Sequence, residues 1–149
     1  CPERAPEDRF IFGRCVMRGL WTGLAALAVA MTISGATLAD DGPDAEKGQK
    51  IFARCKACHT LEESGPDRIG PNLHGVFGRT AGTKEGFTYS KAMVAKGEEG
   101  LVWSEETLTE YLRKPKDLVP GGSMSFPGLK KDEDLANLIA YLKSETGAE

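Results

Sequence analysis

Apolar residues recur at helical spacing just after Gly42-Pro43. Ala45, Ile51 and Phe52 fall on one face of a helix, and the proline and acidic residues at the start of the segment suit a first turn. Gly48 lies between them, and a residue without a side chain leaves room for a second backbone to cross closely. The pattern predicts an amphipathic helix crossed by another segment near Gly48.

A second apolar stripe follows Ser104. Serine is a favourable N-cap residue, and Leu108, Tyr111 and Leu112 then share one face of the predicted helix. Pro115 cannot donate a helical hydrogen bond and restricts the residue before it, so the helix is predicted to end there.

The clearest stripe lies near the C-terminus. Asp132 is the predicted N-cap of this last helix. Its buried face is predicted to consist of Leu135, Leu138, Ile139 and Leu142. A short helix is also predicted over residues 90–95.

Long polar segments rich in glycine, proline and charge separate these helices, over residues 60–86 and 116–130. No segment after residue 40 alternates apolar and polar residues as a half-buried strand does. The sequence therefore predicts an all-α fold whose long loops need something to pack on.

The N-terminal part has a different character. A basic start at Met17-Arg18, an apolar run over residues 19–33 and a small-residue end at Ala39 are typical of a secretory signal peptide spanning residues 17–39. We expect cleavage after Ala39 and a mature domain over residues 40–149. The alternative is an uncleaved membrane anchor. Residues 1–16 are interpreted as an upstream extension absent from the mature protein.

Charge and cysteine content narrow the function. The 149 residues carry 19 Lys and Arg against 22 Asp and Glu, a formal charge of −3, and the predicted mature domain is also acidic. An acidic domain is a poor partner for nucleic acid. The mature domain retains only Cys55 and Cys58, so it is not a disulfide scaffold.

Those two cysteines stand in Cys55-Lys56-Ala57-Cys58-His59, which is the C-x-x-C-H attachment signature of c-type haem. Two thiols at this spacing can add to the two vinyl groups on one edge of a porphyrin, and the next histidine then lies under the ring. A thioredoxin-like redox pair would want a βαβ setting, which is absent. A structural zinc would need four ligands, and only Cys55, Cys58, His59 and His74 are available.

Several further motifs, in the same order, resemble class I cytochromes c of the bacterial c2 and mitochondrial type. The matching runs are Gly70-Pro71-Asn72-Leu73-His74-Gly75, Phe77-Gly78-Arg79, Gly86-Phe87-Thr88-Tyr89, Trp103, Leu112-Arg113-Lys114-Pro115, the loop 120–126 and Leu138-Ile139-Ala140-Tyr141-Leu142. The resemblance implies an all-α fold with crossing N- and C-terminal helices and long loops around one covalent haem. It also implies an electron-transfer protein and not an enzyme.

The resemblance implies that the iron is ligated by His59 and Met124, with the Pro71 carbonyl accepting a hydrogen bond from His59. Met93 is the alternative thioether, and we interpret it as an apolar helix residue. His74 could in principle give a bis-histidine haem, but the family places this position at the surface.

The remaining site residues also follow from the resemblance. Arg79, Tyr89 and Trp103 match residues that hydrogen-bond the haem propionates, whereas Tyr111 is expected near the Met124 sulfur. Phe126 is expected to shield the haem edge. The propionate network is thinner than usual, because Met93 and Gly122 replace residues that bond a propionate in the family.

The implied function is a monomeric periplasmic shuttle of single electrons. Its donor and acceptor would be redox proteins such as a cytochrome bc1-type complex, an oxidase, a reaction centre or a periplasmic dehydrogenase, with no stable membrane insertion after cleavage. The expected docking face carries Lys56, Lys114, Lys116, Lys130 and Lys131. The alternatives are a peroxidase, which needs an open sixth position, and a four-helix gas-binding cytochrome, which normally carries C-x-x-C-H near its C-terminus.

Overall fold

The computed structural model describes residues 42–147. The predicted upstream extension, signal peptide and cleavage position lie outside the described residues. The helices are α1 (Ala45–Phe52), α2 (Lys91–Glu98), α3 (Glu105–Arg113), α4 (Pro115–Leu118) and α5 (Asp132–Thr146). Within residues 42–147 the only β-pairing is an isolated antiparallel bridge between Thr80 and Val102, so the all-α prediction is confirmed.

Helices α1 and α5 cross at Gly48, as its position in the sequence predicted. A Cβ atom on Gly48 would overlap the carbonyl oxygen of Asn137 and lie 2.6 Å from the Tyr141 Cβ. The Phe52 and Tyr141 rings pack beside the crossing with their centroids 5.6 Å apart. The Asn137 side chain accepts a hydrogen bond of 2.7 Å from the Asp44 backbone N–H. The close approach thus depends on the missing side chain at Gly48.

The start of α3 matches its prediction. The Ser104 side chain accepts from the Thr107 backbone N–H, and the Thr107 hydroxyl accepts from the Ser104 N–H, which forms a capping box. Leu108, Tyr111 and Leu112 are buried on its inner face, as predicted.

Other helix boundaries differ from the predictions. Lys131 occupies the N-cap of α5 and makes no side-chain capping bond, so the prediction of Asp132 as the cap is wrong. Asp132 is instead the first helical residue, and its carboxylate pairs with Arg113 at 2.6 Å. Helix α2 continues to Glu98. Pro115 ends α3 but also starts α4, because proline is well suited to a first helical position.

The core forms where α5 packs on α1 and α3, and Leu135 and Leu138 there are almost fully buried. Among residues 42–147, none of the helices combines the length and the apolar character needed to cross a bilayer. The loops between α1 and α2 and between α4 and α5 lie beside this core and border a cavity.

Candidate cofactor site

A partly open cavity of about 350 Å³ is bordered by the loops and by α2 and α3. Every site residue predicted from the sequence lines it: Cys55, Cys58, His59, Pro71, Arg79, Tyr89, Trp103, Tyr111, Met124 and Phe126. Most of its remaining wall is apolar, with Val76, Phe87 and Leu108 among the contributors. Cys55 and Phe126, which are 71 positions apart in the sequence, therefore line the same apolar cavity.

The two cysteines lie in turns that follow α1 directly. The Cys55 N–H donates to the Phe52 carbonyl at 2.7 Å, and the Cys58 and His59 N–H groups each donate to the Cys55 carbonyl at 2.9 Å. Neither cysteine forms a disulfide. Burial raises the pKa of Cys55 to about 11, with the nearby Arg54 acting in the opposite direction. Such a thiol is unlike the activated thiolate of a redox C-x-x-C pair.

His59 is held in one orientation. Its Nδ1 lies 2.7 Å from the Pro71 carbonyl oxygen and donates to it, because a carbonyl can only accept. In the neutral ring this leaves Nε2 unprotonated and able to bind a metal. Burial lowers the pKa of His59, which favours the neutral ring, although the hydrogen bond to Pro71 acts in the opposite direction.

Gly70 fits against the face of this imidazole. A Cβ atom on Gly70 would overlap the His59 Cε1 and lie 2.8 Å from Nε2. The Gly70 N–H also donates to the Cys58 carbonyl at 2.9 Å. The backbone at Gly70 and Pro71 therefore fixes both the ring plane and the Nδ1 hydrogen bond of His59.

Met124 reaches the cavity from the loop between α4 and α5. The Tyr111 hydroxyl donates to its sulfur at 3.4 Å, as the resemblance implied. Burial raises the pKa of Tyr111 to about 12, so this hydroxyl remains a donor. The Lys116 ammonium donates to the Gly122 carbonyl and secures the loop just before Met124. Met93 is buried in the wall of the same cavity and is the competing thioether.

Besides the exposed Arg54, the wall carries a second guanidinium, that of Arg79. The half-buried Arg79 guanidinium donates to the carbonyls of His74 at 3.3 Å and Asn72 at 3.4 Å. Burial lowers the pKa of Arg79 and raises that of Tyr89. Arginine remains charged at neutral pH even so, and a charge at an apolar wall is suited to an entering carboxylate. Apolar walls, paired thiols, an imidazole, thioethers and the half-buried guanidinium of Arg79 together fit a haem with its carboxylates.

His74 does not lie where the resemblance placed it. The residue is half-buried, and its Nδ1 is fully buried without a hydrogen-bond partner, so the prediction of a solvated surface position is wrong. It packs beside the end of α5, where the Gly75 N–H donates to the Thr146 carbonyl at 3.2 Å. His74 is not part of the cavity wall, which gives no support to bis-histidine ligation.

The structure also adds residues that sequence reasoning missed. Asn72 is buried and cross-links the loop between α1 and α2 beside His59, and its backbone N–H donates to the Asp67 carboxylate. Ile69 lines the cavity while its surface is 82% exposed. Asn72 lies inside a matching motif and was open to detection, whereas nothing in the sequence around Asp67 indicates its partners.

Comparison with known proteins finds a matching family and similar proteins. The family model described as cytochrome c matches residues 45–146. The chain is similar to cytochrome c of Stellaria longipes, with 52% identity over 69% of this chain and 94% of that protein. It is also similar to cytochrome c2 of Afifella marina, with 47% identity over 65% of this chain and 78% of that protein. Cytochrome c2 of Agrobacterium tumefaciens is 46% identical over 66% and 89% of the respective chains.

Proposed function

Because this chain belongs to the cytochrome c family, we propose that it is an exported, mobile carrier of single electrons in the bacterial periplasm. Members of the family are electron-transfer proteins and not enzymes. The chain carries one covalent c-type haem through Cys55 and Cys58. The haem supplies the redox-active iron, and the residues around the cavity set how that iron behaves.

We assign the axial positions to His59 and Met124. The observation that carries this assignment is that both side chains line one cavity and are held there by hydrogen bonds. His59 Nδ1 donates to the Pro71 carbonyl, and the Met124 sulfur accepts from the Tyr111 hydroxyl. A thioether ligand favours reduced iron and raises the potential, whereas the bonded imidazole is the more basic of the two ligands. Met93 lies on a helix and has no comparable polar contact to its sulfur among the described residues.

The periplasmic location is supported by the sequence before the domain. A basic start, an apolar run over residues 19–33 and the small-residue end at Ala39 match a secretory signal. Haem attachment to C-x-x-C-H suits an exported protein. The relatives named cytochrome c2 come from bacteria, although the plant relative shows that the domain alone does not specify a compartment.

Export predicts a definite product. The protein recovered from the periplasm should begin at Asp40 and carry one haem, because the signal ends at Ala39. The intact mass of the released protein checks both features. A membrane-bound species that retains residues 19–33 would mean an anchored cytochrome instead of a mobile carrier.

Electron exchange requires a surface where partners approach the site. Arg54 and Ile69 are exposed and line the cavity, and Lys56 is exposed between the two cysteines. The Arg68 guanidinium donates to the Lys56 carbonyl at 3.0 Å. These residues place positive charge around an apolar opening, which suits docking of an acidic redox protein at this surface. The donor and acceptor would come from the classes named above, such as a cytochrome bc1-type complex or an oxidase.

Two of the other lysines expected on the docking face make structural contacts. Lys114 pairs with Asp117 at 2.8 Å, and Lys116 holds the Gly122 carbonyl beside the Met124 loop. Lys130 and Lys131 are exposed before α5. Reversing the charge of Lys116 would therefore disturb the ligand loop as well as the docking surface, so a clean test should use Arg54 and Lys56.

Reversing Arg54 and Lys56 together to glutamate should slow bimolecular electron transfer to an acidic partner by about tenfold or more at low salt, because electrostatic steering is lost. Stopped-flow kinetics with holoprotein of verified haem content measures the rate. The defect should shrink as the Debye length falls to about 8 Å at physiological ionic strength.

The matched control reverses Lys96 and Lys143 to glutamate. Both lie outside the cavity wall and pair with exposed acids, Glu99 and Glu105. The rate should change little, because neither lysine borders the cavity at which the partner is proposed to dock. If the two double variants slow the reaction equally, net charge governs the encounter and the docking surface is wrong.

A further inference from the structure

The peptide group that joins Pro71 to Asn72 is hydrogen-bonded on both sides. Its carbonyl oxygen accepts from His59 Nδ1 at 2.7 Å. Its N–H, on Asn72, donates to the Asp67 Oδ1 at 2.7 Å. The second oxygen of the same carboxylate, Oδ2, accepts from the Lys84 ammonium at 2.9 Å. An unbroken chain of hydrogen bonds therefore runs from Lys84 through Asp67 and one peptide group to His59.

This chain is fixed by its surroundings. Asn72 is 3% exposed, and its side-chain amide donates to the Thr60 hydroxyl at 2.8 Å and to the Glu62 carbonyl at 2.9 Å. Its side-chain oxygen accepts from the His74 N–H at 2.8 Å. Every polar group of the Asn72 side chain is thus bonded, so the peptide cannot rotate away from Asp67 without breaking several hydrogen bonds.

The carboxylate of Asp67 is ionised and only partly exposed. The side chains of Asp67 and Lys84 are each 23% exposed, whereas the side chains of the other ion pairs in residues 42–147 are 33% to 85% exposed. The pKa of Asp67 is lowered chiefly by the Asn72 N–H and then by Lys84. A full negative charge is therefore present at neutral pH, aimed at the peptide that holds the histidine.

A charge near the N–H of a peptide group changes the electron density on its carbonyl oxygen. The C–N bond is partly double, so an anion that attracts the N–H proton increases electron density on the carbonyl oxygen. Consecutive hydrogen bonds polarise one another in this way and strengthen cooperatively. A stronger acceptor at Pro71 makes the His59 ring more basic, and a more basic axial ligand favours oxidised iron.

We propose that Asp67 is a positioning residue that lowers the reduction potential of the site by acting on His59 through the Pro71–Asn72 peptide. This effect opposes that of the Met124 thioether, which raises the potential. Lys84 weakens the effect of Asp67, because its ammonium binds the second carboxylate oxygen, Oδ2. The proposal rests on the proposed function, because it assumes that His59 is an axial ligand of the haem.

Three substitutions at Asp67 separate charge from geometry. Asp67→Asn keeps an oxygen for the Asn72 N–H but removes the charge. Asp67→Glu keeps the charge but moves the carboxylate by one methylene, away from that N–H. Asp67→Ala removes both. Glu85→Gln is the matched control, because Glu85 is exposed and adjacent to Lys84, and the change removes one charge without touching the peptide.

The holoprotein of each variant would be titrated for its reduction potential. In the reduced form, NMR would record the Asn72 amide proton and the His59 Nδ1 proton. Asp67→Asn should shift the redox equilibrium toward the reduced form by about threefold, roughly 30 mV at 59 mV per tenfold for one electron. Both protons should move upfield, since both hydrogen bonds weaken. Asp67→Glu should move the potential and both protons in the same direction as Asp67→Asn, and Glu85→Gln should leave them unchanged.

An effect acting only through space gives a different pattern. In that case Asp67→Glu retains the wild-type potential, Asp67→Asn and Asp67→Ala shift equally, and the His59 proton does not move. That pattern, or an unchanged potential in Asp67→Asn, overturns the proposal. If Asp67→Ala does not fold, the asparagine and glutamate variants still decide between the two mechanisms.

Failure of the proposed function would be seen separately. A wild-type spectrum without histidine and methionine ligation would reject the axial assignment before any variant is compared. A wild-type spectrum with that ligation and no response in the Asp67 series rejects only the role of Asp67.

Discussion

Replacing both Cys55 and Cys58 with serine is expected to abolish covalent haem attachment and to leave a chain without its native packing. The thiols are the only groups of the C-x-x-C-H segment that can form thioethers. The apolar cavity that they border, of about 350 Å³, then has no covalent occupant, and the packing contacts of its walls with the haem are lost.

A pyridine haemochrome assay on acid-precipitated protein measures the covalent haem, and far-ultraviolet circular dichroism measures the remaining helix. Ala57→Ser is the matched control, because it lies between the two cysteines, is exposed and carries no predicted role. The control should keep its haem. Covalent haem in the double variant would show that attachment does not use these thiols.

Replacing Met124 with alanine should produce the largest change in the redox chemistry. Losing the thioether removes the ligand that favours reduced iron, so the potential should fall by about 0.1 V or more, within the ~0.8 V range that axial ligands cover. The sixth position opens, and azide should bind. The Tyr111 hydroxyl, which donates to the Met124 sulfur at 3.4 Å, loses its acceptor.

The weak far-red band of sulfur-to-iron ligation identifies the responsible methionine. It should disappear in Met124→Ala and persist in Met93→Ala. The reverse result would make Met93 the ligand. Azide binding by the unmodified protein would indicate an open sixth position, as a peroxidase requires, and would reject the carrier mechanism.

The features that sequence predicted best depend on local spacing. The stripe of α5, the cap of α3 at Ser104 and the close crossing at Gly48 each follow from residues within a few turns of one another. The C-x-x-C-H segment is equally local. Such patterns can be recognised without knowing the partner: a cap bonds within its own helix, a stripe packs on any apolar surface, and a glycine admits whichever backbone crosses there.

The features that sequence did not predict depend on contacts between distant segments. Asp67 meets Lys84 across 17 positions, and nothing near either residue indicates the pairing. His74 is half-buried because the end of α5 lies against it. The resemblance to the family had implied a surface position for this residue. Asp132 resembles a cap by residue type, but Arg113 of another helix binds its carboxylate. Tertiary partners override local preference at each of these positions.

The central claim is that this chain is a single-electron carrier with one haem ligated by His59 and Met124. Its most direct test is a redox titration of the purified exported protein followed by absorption spectroscopy. We predict a single reversible one-electron transition between two six-coordinate forms, with the far-red band present in the oxidised form. A spectrum without covalent haem, or a transition from a five-coordinate form, would contradict the account.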